Sequence, residues 1–173
     1  MTERSVEMAL ADTWISAREQ DPAAIEIGAV TPYYWPCRLK NIIDPADSSP
    51  FISEKKSVFD VNLKDKKILS ISTFEHIGNG EYGLVKDDNL ASKALDKVID
   101  EASEFLITIP VGYNSFLDDY VFSNTFNGVR ISFLVRGKAD LDNNWKQVFS
   151  KEEANIPYGK AANGLIVLEK IEN

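Results

Sequence analysis

Residues 66–83 read KKILSISTFEHIGNGEYG, and the fold turns on how this stretch is read. The apolar run KKILSIST (66–73) has the length and pattern of a strand. It passes directly into Glu75-His76 and then meets Gly78, Gly80 and Gly83. His76 is the only histidine of the chain. Open α/β sheets bind ligands just beyond strand ends of this kind. A tight surface connection carrying an incidental histidine reads the same way, because strands also end at the surface. The neighbouring strands must discriminate.

Outward from there, residues 5–20 carry Val6, Leu10, Trp14 and Ala17 at helical spacing, and Asp21-Pro22 ends the segment. AAIEIGAV (23–30) reads as a buried strand. The prolines of TPYYWPCRLK disfavour a regular helix there. NIID (41–44) is a short strand closed by Pro45, and SVFDV (57–61) is a candidate third. Leu90 to Glu104 is the clearest helix, with an apolar face of Leu95, Val98, Ile99, Ala102 and Phe105 and with Asp87 and Asp88 as candidate caps. The apolar run EFLITIPVG then reads as a strand covered on both faces. Residues 112–128 read as a loop or broken helix, 129–137 and 163–171 as strands, and DNNWKQV as a connection with about one helical turn. The pattern predicts one α/β domain over 1–173, an N-terminal helix (1–22) and a core (23–173) built on a mostly parallel sheet.

Each strand then ends in polar residues or glycine. The first ends Glu26-Ile27-Gly28-Ala29-Val30, the second at Asp44, and the third near Asp60. The fourth ends Ser72-Thr73-Phe74-Glu75-His76, and the fifth Pro110-Val111-Gly112-Tyr113-Asn114. A glycine after the first strand lets a ligand approach the backbone. An acid after the second can accept hydrogen bonds from ribose hydroxyls. An acid near the third can accept from an adenine amino group. In this order they describe a pocket for an adenosine-containing ligand. Taken singly, each has a plain structural alternative, such as turn formation by Asp44 before Pro45.

Composition narrows the classes. The chain has 173 residues, is 44% apolar and 27% charged, and carries a net charge of −8. No basic stripe exists to displace nucleic-acid counterions, so nucleic acid and anionic membranes are disfavoured as partners. No apolar run is long enough for a membrane span. The first residues are too acidic for a signal peptide, and with the single Cys37 this predicts a cytoplasmic protein without disulfides. One histidine and one distant cysteine predict no transition-metal site. The absence of a G-x-S-x-G turn argues against a serine nucleophile.

The quoted motifs AIEIGAV, IID, FDV, SISTFEHIG and FLITIPVGYN together resemble the class I S-adenosylmethionine-dependent methyltransferases. More narrowly, the chain is similar to a small bacterial subgroup with SIST-x-EHIG and P-x-GYN motifs, a late Asn-Trp pair (Asn144-Trp145) and a near-terminal Ala162-Asn163-Gly164. The resemblance covers residues 23–171. It implies a three-layer Rossmann-like sheet of seven strands, mostly parallel with the last antiparallel, and S-adenosylmethionine as cofactor. It further implies that Glu26, Gly28 and Ala29 line the methionine part and that Asp44 holds the ribose. Asp60 and Val61 would border the adenine, and Ser72, Thr73 and Phe74 would pass beneath. Glu75 and His76 would stand near the transferable methyl, with His76 as candidate general base. Tyr113 and Asn114, at the head of an aromatic-rich loop, are the candidate substrate contacts. The implied acceptor is a small molecule or a saccharide.

Three departures from that family stand out. Val30 replaces the usual second glycine of the first motif, and Lys66 stands where relatives start the fourth strand with an acid. The connections after the first two strands are short and contain proline, so some helices are reduced or missing. A sheet face left bare in this way favours a partner or self-association, unless residues 5–20 cover it. These departures keep a second reading open, a catalytically inactive binding or assembly module of the same fold. A nucleotide-binding regulator using the same pocket is a third.

Overall fold

The computed structural model describes residues 2–137 and 144–171. Its elements are α1 (Glu3–Ser16), β1 (Ala24–Ile27), β2 (Asn41–Ile43), β3 (Lys67–Ile71), α2 (Leu90–Glu101), β4 (Glu104–Pro110), α3 (Ser115–Ser123), β5 (Val129–Arg136), β6 (Trp145–Val148), α4 (Lys151–Ala154) and β7 (Gly164–Lys170). The strands form a seven-stranded sheet in the order β2-β1-β3-β4-β7-β5-β6. β2, β1, β3 and β4 pair in parallel, while β7 runs antiparallel to β4 and β5. This is the Rossmann-like α/β arrangement with an antiparallel last strand. The sheet order reverses at β1 and β3, where β1 leads outward to β2 on one side and β3 leads to β4 on the other.

Both faces are covered, giving three layers. On one face α2, α3 and the turn Val58–Asp60 pack over Ile25, Ile27, Ile68, Phe105, Ile107 and Ile109. Leu95 and Val98 of α2 are fully buried there. On the other face α1 sets Ala11, Trp14 and Ile15 against Leu69, Ile71, Leu106 and Val167. The connection after β1 contains no α-helix, only a 3₁₀ turn over Thr31–Tyr33, and it lays Val30, Trp35 and Leu39 on this same face. So α1 and an irregular loop supply the cover that a crossover helix would otherwise provide.

Several elements differ from their sequence reading. SVFDV is not a strand but a 3₁₀ turn, Val58–Asp60, capped by Ser57. The edge beside β2 is taken instead by a single parallel bridge between Ile43 and Glu54. The seventh strand comes from the opposite edge: Lys146, Gln147 and Val148 of DNNWKQV, with Trp145, form β6 and pair antiparallel with β5. Asp142 and Asn143 of that segment lie outside the described residues. Residues 115–123 form a regular helix, because Asn114 caps it by accepting the Leu117 N–H at 3.1 Å. α2 ends at Glu101, three residues early, where Ser103 turns back to bond Lys66 O. Its N-cap position is Asn89, and Asp87 serves the turn before it. On α1 the buried face is Glu7, Met8, Ala11, Trp14 and Ile15, while Ala17 lies outside the helix and exposed.

Gly164 opens β7 where the carbonyl of Ala154 in α4 lies 2.4 Å from where a Cβ would stand. Only glycine permits that approach, and it accounts for one element of the Ala162-Asn163-Gly164 motif. Asn144 O accepts the Gly137 N–H at 2.9 Å at the start of the β5–β6 pairing, and Trp145 packs against the α1-side core.

Candidate functional site

A cavity of about 860 Å³ opens at the carboxyl ends of β1, β2 and β3. Its size suits a drug-sized ligand. It lies at the reversal of strand order, where α/β sheets bind ligands. The walls divide by chemistry. Gly28, Ala29 and Val30 follow β1, Asp44 to Ser48 follow β2, and Ser72, Thr73 and His76 follow β3. Val58, Phe59, Ile77 and Leu90 form an apolar side, and Arg4 reaches in from α1.

The loop after β1 is built around Glu26, which is wholly buried. Its carboxylate accepts the N–H groups of Val30 at 2.9 Å and Thr31 at 2.8 Å, and the Thr31 hydroxyl as well. Burial pushes this carboxyl up to about 7, against three donors that pull it down. Glu26 thus shapes the loop from beneath and does not line the cavity. Val30 has φ −107°, ψ −53°, so this loop requires no second glycine. Gly28 does require its identity. Its φ is +83°, and a Cβ there would lie 2.1 Å from the Thr73 hydroxyl oxygen. The glycine is explained by the close approach of β1's loop to β3's loop, without any ligand.

Asp44 lies on the cavity wall, but much of its carboxylate serves its own loop. Oδ1 accepts the N–H groups of Ala46 and Asp47, both at 2.8 Å, and Oδ2 accepts that of Ala29 at 3.3 Å. Oδ2 retains lone-pair capacity toward the cavity. Asp60 and Val61 are not brought to this cavity. They border a separate, smaller concavity, and Ser57, Val58 and Phe59 take the place expected of them. The 3₁₀ turn is the physical reason, since it rotates residues 60–61 to the far side of the chain. Phe74 is likewise absent from the wall, being fully buried in the core.

After β3 the backbone is strained. Ser72 adopts φ +42°, a left-handed conformation that costs a non-glycine residue about 1–3 kcal/mol. It is held there by Glu7 of α1, whose Oε1 accepts the hydroxyls of Ser72 at 2.6 Å and Thr108 at 2.7 Å. Phe74–His76 then form a 3₁₀ turn that buries Glu75 and leaves His76 partly exposed, with Glu75 Oε1 3.6 Å from His76 Nε2. Glu75 is buried away from the cavity, and desolvation there, with Glu7 nearby, holds its carboxyl well above the ordinary range. Its backbone carbonyl accepts the side-chain amides of Asn79 and Asn114, each at 3.1 Å. The Glu-His-Ile-Gly-Asn and Gly-Tyr-Asn motifs are therefore one structural unit, tied at a single carbonyl. Asn114 is buried in that role and does not face the cavity.

His76 does reach the cavity. Its Nδ1 lies 2.5 Å from Glu81 Oε2, and the other oxygen of Glu81 accepts the Tyr113 hydroxyl at 2.8 Å. Burial raises the Glu81 carboxyl, but the hydrogen bonds from His76 and Tyr113 outweigh it and hold the group below its ordinary value. An ionised carboxylate only accepts hydrogen bonds, so in the neutral ring Nδ1 carries the imidazole proton and Nε2, 3.6 Å from Glu75 Oε1, is the remaining acceptor. The rings of Tyr113 and Tyr82 flank the imidazole edge-on at 4.7 and 5.8 Å. Glu81 was missed in the sequence. Its signal is faint: an acid among glycines, five residues after a histidine.

Among the described residues, no three His, Cys, Asp or Glu side chains gather into a metal-binding group, and no helix is long and apolar enough to cross a membrane. No protein-family profile matches the chain, and no curated protein matches it. One solved structure, the crystal structure of small RNA methyltransferase HEN1, aligns with 96% of this chain at 10% identity and a TM-score of 0.45. The aligned part is 25% of the HEN1 chain. A likeness that distant leaves the activity of this chain to be argued from its own site.

Proposed function

We propose that the chain binds S-adenosylmethionine in the cavity beyond β1, β2 and β3 and transfers its methyl group to a small-molecule or saccharide acceptor. The observation that carries this reading is the convergence of Gly28, Asp44, Ser72 and His76 on one cavity at the reversal of strand order. The residues present fit the cofactor. The free lone pairs of Asp44 Oδ2 suit a ribose hydroxyl, and Ile43, Val58, Phe59 and Leu90 offer an apolar slot for a purine. When bound, S-adenosylmethionine supplies a methyl group already activated on a sulfonium. The protein's task is then alignment and proton removal. His76, with Nε2 as acceptor and Nδ1 held by Glu81, is the group on the wall suited to take a proton from a hydroxyl or amine. Tyr113 holds Glu81 from its other oxygen.

Calorimetric titration with S-adenosylhomocysteine tests the reading. Binding in the micromolar range supports it, and no heat at millimolar ligand removes it. One observation favours the second reading, an inactive binding module of the same fold. Asp44 already spends three hydrogen bonds on its own loop, which leaves less for a ribose than a dedicated cofactor site offers. Methyl transfer to any acceptor eliminates that alternative.

A further inference from the structure

Arg4 is the cavity residue that the strand motifs do not account for. It stands in the first turn of α1, one turn before Glu7 and on the same helix face. Glu7 bonds both Ser72, after β3, and Thr108 of β4, so α1 is pinned above the carboxyl ends of these strands. That anchor fixes where Arg4 points. Arg4 lines the cavity with its side chain 32% exposed, and its Nη1 lies 3.3 Å from Glu7 Oε2. Neither atom of that pair makes a hydrogen bond among the described residues, although both are buried. Nη1 is thus held against Glu7 as an ion pair, and the exposed remainder of the Arg4 side chain is what the cavity can address. Burial also holds the Glu7 carboxyl above its ordinary value, and Glu26 and Glu75 behind it shift the same way.

Position identifies the ligand group. Asp44 follows β2, whereas Arg4 is anchored over β3 and β4. Two strand steps from β2 to β3 span about 10 Å. In an adenosyl amino acid the chain from ribose through sulfur to the carboxylate is long enough to cover that span. We infer that Arg4 binds the amino-acid carboxylate of the cofactor, at the end of the cavity opposite Asp44. The inference rests on the cofactor reading above. It makes α1 part of the ligand site, whereas the sequence motifs present it only as cover for the sheet.

The test compares two ligands on three proteins. S-adenosylhomocysteine carries the carboxylate, and 5′-methylthioadenosine lacks the whole amino-acid part. Wild type is expected to bind the first more tightly. Arg4→Gln is expected to lose about ten- to a hundredfold in affinity for S-adenosylhomocysteine, the cost of a charge-assisted hydrogen bond, and nothing for methylthioadenosine. Glu7→Gln keeps the guanidinium and removes its acidic neighbour, so its S-adenosylhomocysteine affinity is expected to match or exceed wild type. A urea midpoint for each variant verifies folding. Equal losses for both ligands in Arg4→Gln, or no loss for either, overturn the role of Arg4 while leaving the cofactor site standing. A parallel loss in Glu7→Gln also overturns it, since the pair would then be structural. Failure of wild type to bind either ligand overturns the cofactor reading, and this inference with it.

Discussion

At the scale of single residues, two side chains decide how the end of β3 works. The first is Glu81, which fixes the tautomer of His76 through a 2.5 Å contact at Nδ1. Because the chain has one histidine, a long-range nitrogen–proton NMR spectrum contains one imidazole. It is expected to report the Nδ1–H form in wild type and a mixture with Nε2–H in Glu81→Gln. An unchanged spectrum in the variant removes the positioning role. Given a working acceptor, His76→Ala is expected to lower the transfer rate about 10²–10⁴-fold, the range of a lost general base. The second side chain is Glu7, an acid on the buried face of a helix, where an apolar periodicity cannot reveal it. Its two hydroxyl partners are worth more than its charge. Glu7→Ala is expected to cost about 1–3 kcal/mol for each hydroxyl left without an acceptor, measured by urea denaturation, whereas Glu7→Gln keeps an accepting oxygen and costs clearly less. Equal destabilisation by both changes contradicts this account.

At the scale of elements, α1 carries an unusual share of the structure. It covers a sheet face whose crossover helix is replaced by the Thr31–Tyr33 turn. Trp14 is its principal contact, 6% exposed and stacked under the Arg18 guanidinium at 4.5 Å. Trp14→Ala is expected to destabilise the fold by about 3–5 kcal/mol in urea, the usual cost of deleting a buried tryptophan. A loss below about 1 kcal/mol assigns the cover to the loop instead. Much at this scale was legible in the sequence. The strands at 24–27, 41–43, 67–71, 104–110 and 164–170 follow from continuous apolar runs closed by glycine, proline or polar residues, because a strand buried on both faces needs no alternation. SVFDV misled because β-branched and aromatic residues favour a strand only when an edge is free to pair. Here Glu54 takes the edge beside β2, and Val58 packs into the core from a turn. β6 was hidden because WKQV has weak alternation and, as an edge strand, pairs with β5 alone. Of the site, the glycine and polar residues at the ends of β1, β2 and β3 could be read from order along the chain. Arg4, on the cavity wall, and Glu81, behind His76, could not, since they arrive from elements whose packing the linear sequence does not encode.

At the scale of the whole molecule, the buried carboxyls set how stability varies with pH. Burial raises Glu26 to about 7 and Asp118 to about 6, and it raises Glu7 and Glu75 as well. For each, the folded state holds its proton more tightly than the unfolded chain, where a carboxyl titrates near about 4. Their contribution is therefore complete below that value and is lost as pH rises, for Asp118 and Glu26 through about 6 and about 7. Glu81 and Asp47 are shifted the other way, by hydrogen bonds that outweigh burial in each case. Their contribution is present above about 4 and is lost in acid. The two sets together place the stability maximum near about pH 5, on the acid side of neutrality. The net charge of −8 at pH 7 adds self-repulsion in the same direction, but salt screens that part and leaves the buried groups unaffected. The urea midpoint at high salt is thus expected to be higher at pH 5 than at pH 8, by about 1–3 kcal/mol of unfolding free energy. In Glu26→Gln combined with Asp118→Asn that difference is expected to shrink, while the fall below pH 4 persists. A midpoint that climbs steadily from pH 5 to pH 8 in wild type shows that Glu26 and Asp118 titrate as exposed carboxyls, which contradicts the burial of Glu26 beneath the loop of β1 and of Asp118 beneath that of β4, where it accepts the Gly112 N–H at 2.7 Å.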